Sequence, residues 1–387
     1  METAEFDAVL ATVRDLLDSE VIPAEREIEE TDRVPDRLRR KAADMGLFGY
    51  ALPERHGGLD LSMTEEVRLA IELGRGPIAF RSMFGTNNGI AGQVLVNFGT
   101  PQQQERWLPG MAAGEVIGAF ALTEPEAGSD PSGLTTKAVR DGDGYLINGA
   151  KRFITNADVA DVFLVFARTG DPADGNRSIS VFAVPRDTPG LSVGPSDQKM
   201  GQRGAHTAEV WFDSVRVGAD ALVGGRENDG FAAAMRSLAK GRLHMAGIAV
   251  GMADRLIEES TRHALVTRQG GTPIADFQLV QAMLADCATE AYAGRAMVLA
   301  AAREFDAGTD TRLAPSAAKL WCTEMAGRVA DRAVQIHGGS GYLRESAAER
   351  FYRDARLLRL YEGTSEIQRV IVARQLLRRH AEPKGRS

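Results

Sequence analysis

Phe231, Met235, Leu238, Arg242, Met245, Ala249, Met252 and Leu256 step by fours and threes without a break. That spacing is the apolar seam of a long helix in a bundle, and it constrains the fold more than any other feature of the chain. One member is out of place. Arg242 puts a charge on an apolar stripe, where burial without a partner is expensive. Two readings stand: an ion pair inside the bundle, or a guanidinium facing a bound anionic or polar ligand.

A chain of 387 residues exceeds the roughly 250–300 at which one hydrophobic core stops growing, and its patterning divides in three. Residues 1–120 read as helices. "FDAVLATVRDLLDSEVI" has helical spacing, "VPDRLRRKAADMGLFG" stops at Gly46, "LSMTEEVRLAIELGRG" opens on the capping pair Ser62 and Glu65, and "TPQQQERWLPGMAAGE" has Pro101 in its first turn. Residues 121–225 change character: "DVFLVFART", "SISVFAVP" and "TAEVWFDSVRV" read as strands, and Asn148-Gly149 reads as a turn pair. Regularly spaced short strands predict a small sandwich or barrel. Residues 226–387 return to helices, ending in the basic stretch "RQLLRRHAEPKGRS", a solvated helix end.

The formal net charge of −7 argues against nucleic acid, which is bound through clustered Lys and Arg. No apolar run reaches the roughly 18 residues of a membrane span. The first twenty residues, acidic and amphipathic, resemble neither a secretory signal nor a transit peptide. The two cysteines, Cys287 and Cys322, sit in helical patterns and fit a reducing cytoplasm.

Several motifs carry little. "GGSGY" (338–342) lacks dinucleotide-loop spacing and no strand leads into it. "SAAK" (316–319) matches the S-x-x-K of serine acyl enzymes, but no K-T-G follows. The six histidines show no metal-ligand spacing. Three strings carry more. "ALTEPEAGSD" (121–130) lies where helices give way to strands, and its Thr, Gly and Ser groups suit close approach to a phosphate or a ring edge. "RFITN" (152–156) puts an aromatic and a threonine at a strand end. "YEGTSEIQ" (361–368) puts a carboxylate, a glycine and a hydroxyl in one turn.

In this order, on a helix–strand–helix layout, these strings resemble the acyl-CoA dehydrogenase family. "KMGQRG" (199–204), "GTPIADFQ" (271–278), "QIHGGSGY" (335–342) and "RDAR" (353–356) extend the resemblance from the first helix to about Arg378. It implies a mainly α fold with a central β-domain: an N-terminal helical domain, a middle β-barrel or sandwich and a C-terminal four-helix bundle. It also implies non-covalent FAD, an acyl-CoA substrate, an electron-transferring flavoprotein as partner, and a homotetramer (or dimer). The implied reaction is α,β-dehydrogenation, with Glu362 removing the α-proton while the β-hydrogen leaves as hydride to FAD. In the family the thioester oxygen is held by a flavin hydroxyl and by the backbone N–H of the base residue, an oxyanion-hole arrangement. Some members carry the base on the long helix just before the arginine. Here that position is Gly241, so the base the resemblance implies is Glu362, with Gly363 and Tyr361 beside it and Arg242 nearby. Leu122, Thr123, Phe153 and Thr155 are implied along the flavin ring and Ser129 at FAD or the CoA arm. Thr364 and Glu366 are implied at the phosphates or adenosine, and Gln335 and Gly339 reach the cofactor of a neighbouring subunit.

Two departures stand out. Where the family has an arginine reaching another subunit's FAD, "HALVTRQGG" has Thr267, with Gly270 at the phenylalanine position and Arg268 one residue away as a substitute. Phe153 stands where many members have tryptophan. Arg81, in "IAFRSMFG", occupies what looks like the carboxylate-binding position of glutaryl-CoA dehydrogenases; it reads either as a surface or packing arginine or as the anchor of a dicarboxylyl-CoA. A flavin oxidase or monooxygenase on the same fold is the other alternative, and Glu362 and the chain length count against it.

Overall fold

A computed structural model describes residues 3–381; the basic stretch at the end of the chain lies partly outside them. Helices come first: α1 (Thr3–Leu16), α2 (Glu25–Thr31), α3 (Asp36–Asp44), α4 (Met63–Leu73), α5 (Ile78–Gly89), α6 (Ala91–Phe98) and α7 (Pro101–Ala113). The Ser62–Glu65 capping signal acts as expected, and a second box opens α7. Ser62 accepts from the Glu65 N–H while Glu65 returns the bond, and Thr100 and Gln103 do the same ahead of Pro101.

The strands follow: β1 (Gly118–Ala121), β2 (Lys137–Asp141), β3 (Gly144–Thr155), β4 (Val162–Arg168), β5 (Ile179–Pro185), β6 (Leu191–Val193) and β7 (Thr207–Gly218). They form one seven-stranded sheet in the order β1-β4-β2-β3-β7-β6, with β5 on β4. β1 runs parallel to β4, and β3 pairs antiparallel with β7. β4 and β5 are apolar nearly throughout because both faces are covered. Alternate residues Val162, Leu164 and Phe166 join a core with α6, α7 and the start of the long helix. Phe163, Val165 and Ala167 face the inside of the sheet. Asn148-Gly149 is not a hairpin turn. It lies within β3, where the register slips, and a Cβ on Gly149 would come 2.4 Å from Thr136 Oγ1. The pair is spent on a bulge that lets two backbones approach.

The rest is helical apart from a small hairpin of β8 (Arg268–Gln269) and β9 (Thr272–Pro273): α8 (Gly230–Val266), α9 (Gln278–Asp306), α10 (Leu313–His337), α11 (Ala347–Leu358) and α12 (Ser365–Ala381). The seam on α8 changes partner along its length. Phe231, Met235 and Leu238 pack on the sheet core, whereas Met245, Ala249, Met252 and Leu256 join a core that α1, α4 and α5 share with α9, α10 and α11. From Gly241 to Ala253 every residue of α8 is buried, so this stretch is enclosed on all sides. No helix among the described residues is long and apolar enough to cross a membrane.

Candidate active site

Tyr361, Glu362 and Gly363 form the turn between α11 and α12. Glu362 adopts a left-handed backbone, φ 53°, which a non-glycine residue holds only when its surroundings enforce it. Two side chains do so from below. Lys319 Nζ donates to the Gly363 carbonyl at 2.8 Å, and Gln368 Nε2 donates to the Glu362 and Gly363 carbonyls at 3.1 and 3.0 Å. The Glu362 N–H takes no protein acceptor among the described residues.

The carboxylate turns inward against α8. Oε2 is buried without a hydrogen-bond partner, and so are Tyr361 Oη and Arg242 Nε. Buried polar groups are rarely left so, and three converging on one turn mark a place built for something else. Burial pushes the Glu362 carboxyl above the ordinary glutamate range, and Arg81, Lys319 and Arg242 pull it back without winning. Gly241 admits this carboxylate: a Cβ there would come 2.1 Å from Oε2. Arg242 forms no ion pair among the described residues. Of its two sequence readings, the salt bridge inside the bundle is therefore absent.

Arg81 is not a surface charge. It is buried on α5, and its Nε donates to His244 Nε2 at 2.9 Å. A guanidinium only donates, so Nε2 is the acceptor and the imidazole proton sits on Nδ1. Nδ1 lies 3.2 Å from the hydroxyl of Tyr50, whose ring stacks on the imidazole at 5.8 Å. Burial, then Arg81 and Lys240, drive His244 far below the usual histidine range, which keeps it neutral. The chain of bonds thus ends in donors: the Arg81 Nη groups, which take no acceptor among the described residues, and the Tyr50 hydroxyl proton.

A second group of predicted residues gathers at the end of β3. The Arg152 N–H donates to the Thr123 carbonyl at 2.8 Å, and Lys151 Nζ donates to the Leu122 carbonyl at 3.1 Å. Leu122 and Thr123 therefore lie beside Phe153, with Thr155 two residues on. Phe153 has φ 57° in a bulge of β3 and is 60% exposed. A bulky residue held in that conformation with its ring facing outward offers a flat apolar platform at some cost in strain. Asn156 ties this strand end to α5, donating to the Ser82 carbonyl and Thr86 Oγ1, both at 3.0 Å. The platform and the orphaned groups by Glu362 suit a flat ring with a polar edge, so these residues fit a flavin.

Beneath the platform lies a buried ion pair, Lys151 Nζ to Glu124 Oε1 at 2.8 Å. Burial alone would raise Glu124, but Lys151 together with bonds from Thr135 and Thr136 holds it down at about 2. The carboxylate's contribution to stability is thus complete above the ordinary carboxylate range and is lost as pH falls toward 2, while burial lowers Lys151 to about 8 and offsets part of it. Lys151→Met would strand the carboxylate. A loss of about 3–5 kcal/mol in denaturant unfolding is expected, and a loss under 1 kcal/mol would contradict the pair's role.

The remaining predicted residues lie elsewhere. Ser129 is exposed in the loop after β1, Thr364 is half-buried and Glu366 is exposed in the first turn of α12. Gln335 and Gly339, at the end of α10, are exposed, as is Arg268, which donates to the Gly271 carbonyl at 2.9 Å. Arg242 and Val266 are separated along α8 by about 36 Å at 1.5 Å per residue, so Arg268 is out of reach of Glu362 in its own chain. A cleft of about 790 Å³ opens near Glu25, Lys199 and Arg350. Its cations are largely met by its own acids, Arg353 by Glu29 and Glu349 and Arg350 by Glu25, so it does not compete with the turn as a site.

Comparison with known proteins decides the family. The chain matches the acyl-CoA dehydrogenase N-terminal domain over residues 3–115, the middle domain over 119–215 and the C-terminal domain over 228–377. It is 40% identical over 376 residues to probable acyl-CoA dehydrogenase YngJ of Bacillus subtilis, covering 97% of this chain and 99% of that one. It belongs to the acyl-CoA dehydrogenase family. The chain is thus an FAD-dependent oxidoreductase. It is 37% identical over 353 residues to subunit CarC of the caffeyl-CoA reductase–Etf complex of Acetobacterium woodii, covering 91% and 93% of the two chains. Its fold matches the solved butyryl-CoA dehydrogenase of Megasphaera elsdenii with TM-score 0.93 at 31% identity, covering 97% and 99%.

Sequence reasoning missed Lys319, His244 and Tyr50. For Lys319 the signal was present. Ser316, Lys319, Thr323, Ala326 and Ala330 step by threes and fours on α10 and all are buried. A lysine among these small residues is a weaker form of the anomaly that exposed Arg242. His244 and Tyr50 carried no such signal, because their meeting depends on how the loop before α4 folds over α8.

Proposed function

We propose that this acyl-CoA dehydrogenase family member oxidises an acyl-CoA thioester to the trans-2-enoyl-CoA, with Glu362 as the base. The observation that carries this reading is the carboxylate itself: inward-facing, its Oε2 unpartnered, lifted by burial and facing three cations. A base of raised proton affinity in a dry site suits abstraction of a weakly acidic α-proton. The unpaired Glu362 N–H would donate to the thioester oxygen, where charge builds as the proton leaves. Leu122, Thr123, Phe153 and Thr155 would hold the FAD ring, with Thr364, Glu366 and Ser129 toward its phosphates or the CoA arm. FAD, when bound, accepts the β-hydrogen as hydride.

Arg268, Gln335 and Gly339 lie too far along the bundle to serve this turn in one chain, so they would serve a neighbour's cofactor in a homotetramer or dimer. The exposed apolar side chains Leu279 and Tyr342, at the start of α9 and just past α10, support that assembly. An electron-transferring flavoprotein would take the electrons, a reading supported by likeness to the Etf-complex subunit. The free, buried thiols Cys287 and Cys322 suit a cytoplasmic setting. Turnover of a saturated acyl-CoA with an artificial electron acceptor, analysed by mass spectrometry, tests the reaction: a product two mass units lighter is expected. An unchanged thioester over a broad panel would refute it.

A second reading is favoured by Arg81. The Arg81–His244–Tyr50 chain ends only in donors, which is complementary to an acyl group ending in an acceptor, above all a carboxylate, as in a dicarboxylyl-CoA. Arg81→Met should then lower kcat/KM for glutaryl-CoA by about 100-fold more than for butyryl-CoA, compared where the rate no longer rises with pH because Arg81 also favours the ionised Glu362. Equal losses for both substrates would remove the carboxylate reading.

A further inference from the structure

Lys319 is fully buried on α10 with its ammonium 2.8 Å from the Gly363 carbonyl. Nothing in the reaction needs a proton from it, and no carboxylate lies within ion-pair distance among the described residues. Burying a charged lysine is costly unless its charge acts on something. The groups around it are Glu362, Arg242, Glu324 and Glu366. Of these, Glu324 is already committed to Arg359 and to the Ser365 hydroxyl, and Glu366 is exposed. Glu362 is the acid left, next in sequence to the carbonyl that Lys319 holds.

We propose that Lys319 is a positioning residue for the base: it fixes the left-handed Glu362–Gly363 turn through the Gly363 carbonyl, and its charge sets how readily Glu362 ionises. The geometry gives it two separable tasks. The bond pins the backbone whose N–H would face the thioester oxygen. Burial lowers the lysine itself to about 8, and below that pH its charge favours the carboxylate over the acid, as do Arg81 from α5 and Arg242 from α8; Tyr361 and Tyr50 are the remaining titratable neighbours. The Gln368 amide duplicates the first task at the same carbonyl but not the second. Charge removal should therefore show as a displaced pH dependence rather than a collapsed turn.

This rests on Glu362 being the base. The test follows anaerobic bleaching of the FAD-loaded enzyme by one saturated acyl-CoA as a function of pH, for wild type, Lys319→Met, Lys319→Gln and Lys319→Arg, with Glu362→Gln alongside. Losing a nearby cation raises a carboxyl's affinity for its proton. The rise of rate with pH should thus move up by about one unit in the Met and Gln variants, a roughly tenfold loss below it that recovers at higher pH. Lys319→Arg should keep the wild-type profile. If Lys319→Met does not accumulate as a folded flavoprotein, Lys319→Gln decides by the same readout. An equal loss at every pH, or an unmoved profile, overturns the proposal while leaving the base assignment intact. Wild-type bleaching by Glu362→Gln would instead overturn the base assignment.

Discussion

Glu362→Gln is expected to bind FAD and acyl-CoA and yet to lose flavin bleaching by at least about 100- to 10,000-fold, the range a positioned general base contributes. The substitution is nearly isosteric. It keeps the fill against Gly241, the inward aim and the unpaired N–H of the turn, and removes only the capacity to take a proton. Burial and the three cations remain, so a neutral amide faces uncompensated positive charge from Arg81, Lys319 and Arg242. Anionic enolate analogues should accordingly bind the variant at least as well as the wild type. Stopped-flow absorbance at the flavin band checks the rate, and equilibrium titration checks the binding. Loss of FAD in the variant would show that the side chain supports the cofactor site as well.

The second large effect is expected at a residue with no functional group. Gly241→Ala places a methyl carbon where Glu362 Oε2 now lies, 2.1 Å away, with the carboxylate carbon at 2.9 Å. Either the carboxylate or the helix must move, and α8 is enclosed on all sides here, so the carboxylate moves. A displacement on the order of 1 Å from a reactive geometry costs about 100-fold in rate. The variant should bleach about 100-fold more slowly with unchanged FAD content, and its melting temperature should stay near the wild type, since alanine favours a helix interior over glycine. A wild-type rate would mean that the carboxylate does not need its present position.

Much of this was legible before any coordinates. The α8 seam follows from spacing alone, because burial imposes period 3.6 on helices, while the Ser62–Glu65 cap and the Val- and Phe-rich strands follow from residue type. Arg242 declared itself because a charge breaks an apolar stripe. Lys319 lies on a buried stripe of small residues that includes Ser316 and Thr323, a weaker signal, within a four-residue motif that drew attention to serine chemistry instead. Asn148-Gly149 was misread because its local preference for a turn is real; the continuous pairing of β3 with β7 overrides it, and the pair makes a bulge. The buried His244–Arg81 contact joins residues 163 positions apart. Neither residue type announces the other, so only packing shows that Arg81 points inward with its donors free. The left-handed backbones at Phe153 and Glu362 were equally invisible, since neither residue type favours them.

The account turns on Glu362 as the base of an acyl-CoA oxidation. The most direct measurement is anaerobic mixing of the FAD-loaded protein with butyryl-, isobutyryl-, octanoyl-, palmitoyl- and glutaryl-CoA, following the flavin's visible absorbance in wild type and Glu362→Gln. The account predicts that at least one thioester bleaches the wild type rapidly and leaves the variant yellow. Bleaching of both proteins at the same rate would contradict it, as would a wild type that stays yellow with every thioester while demonstrably holding FAD.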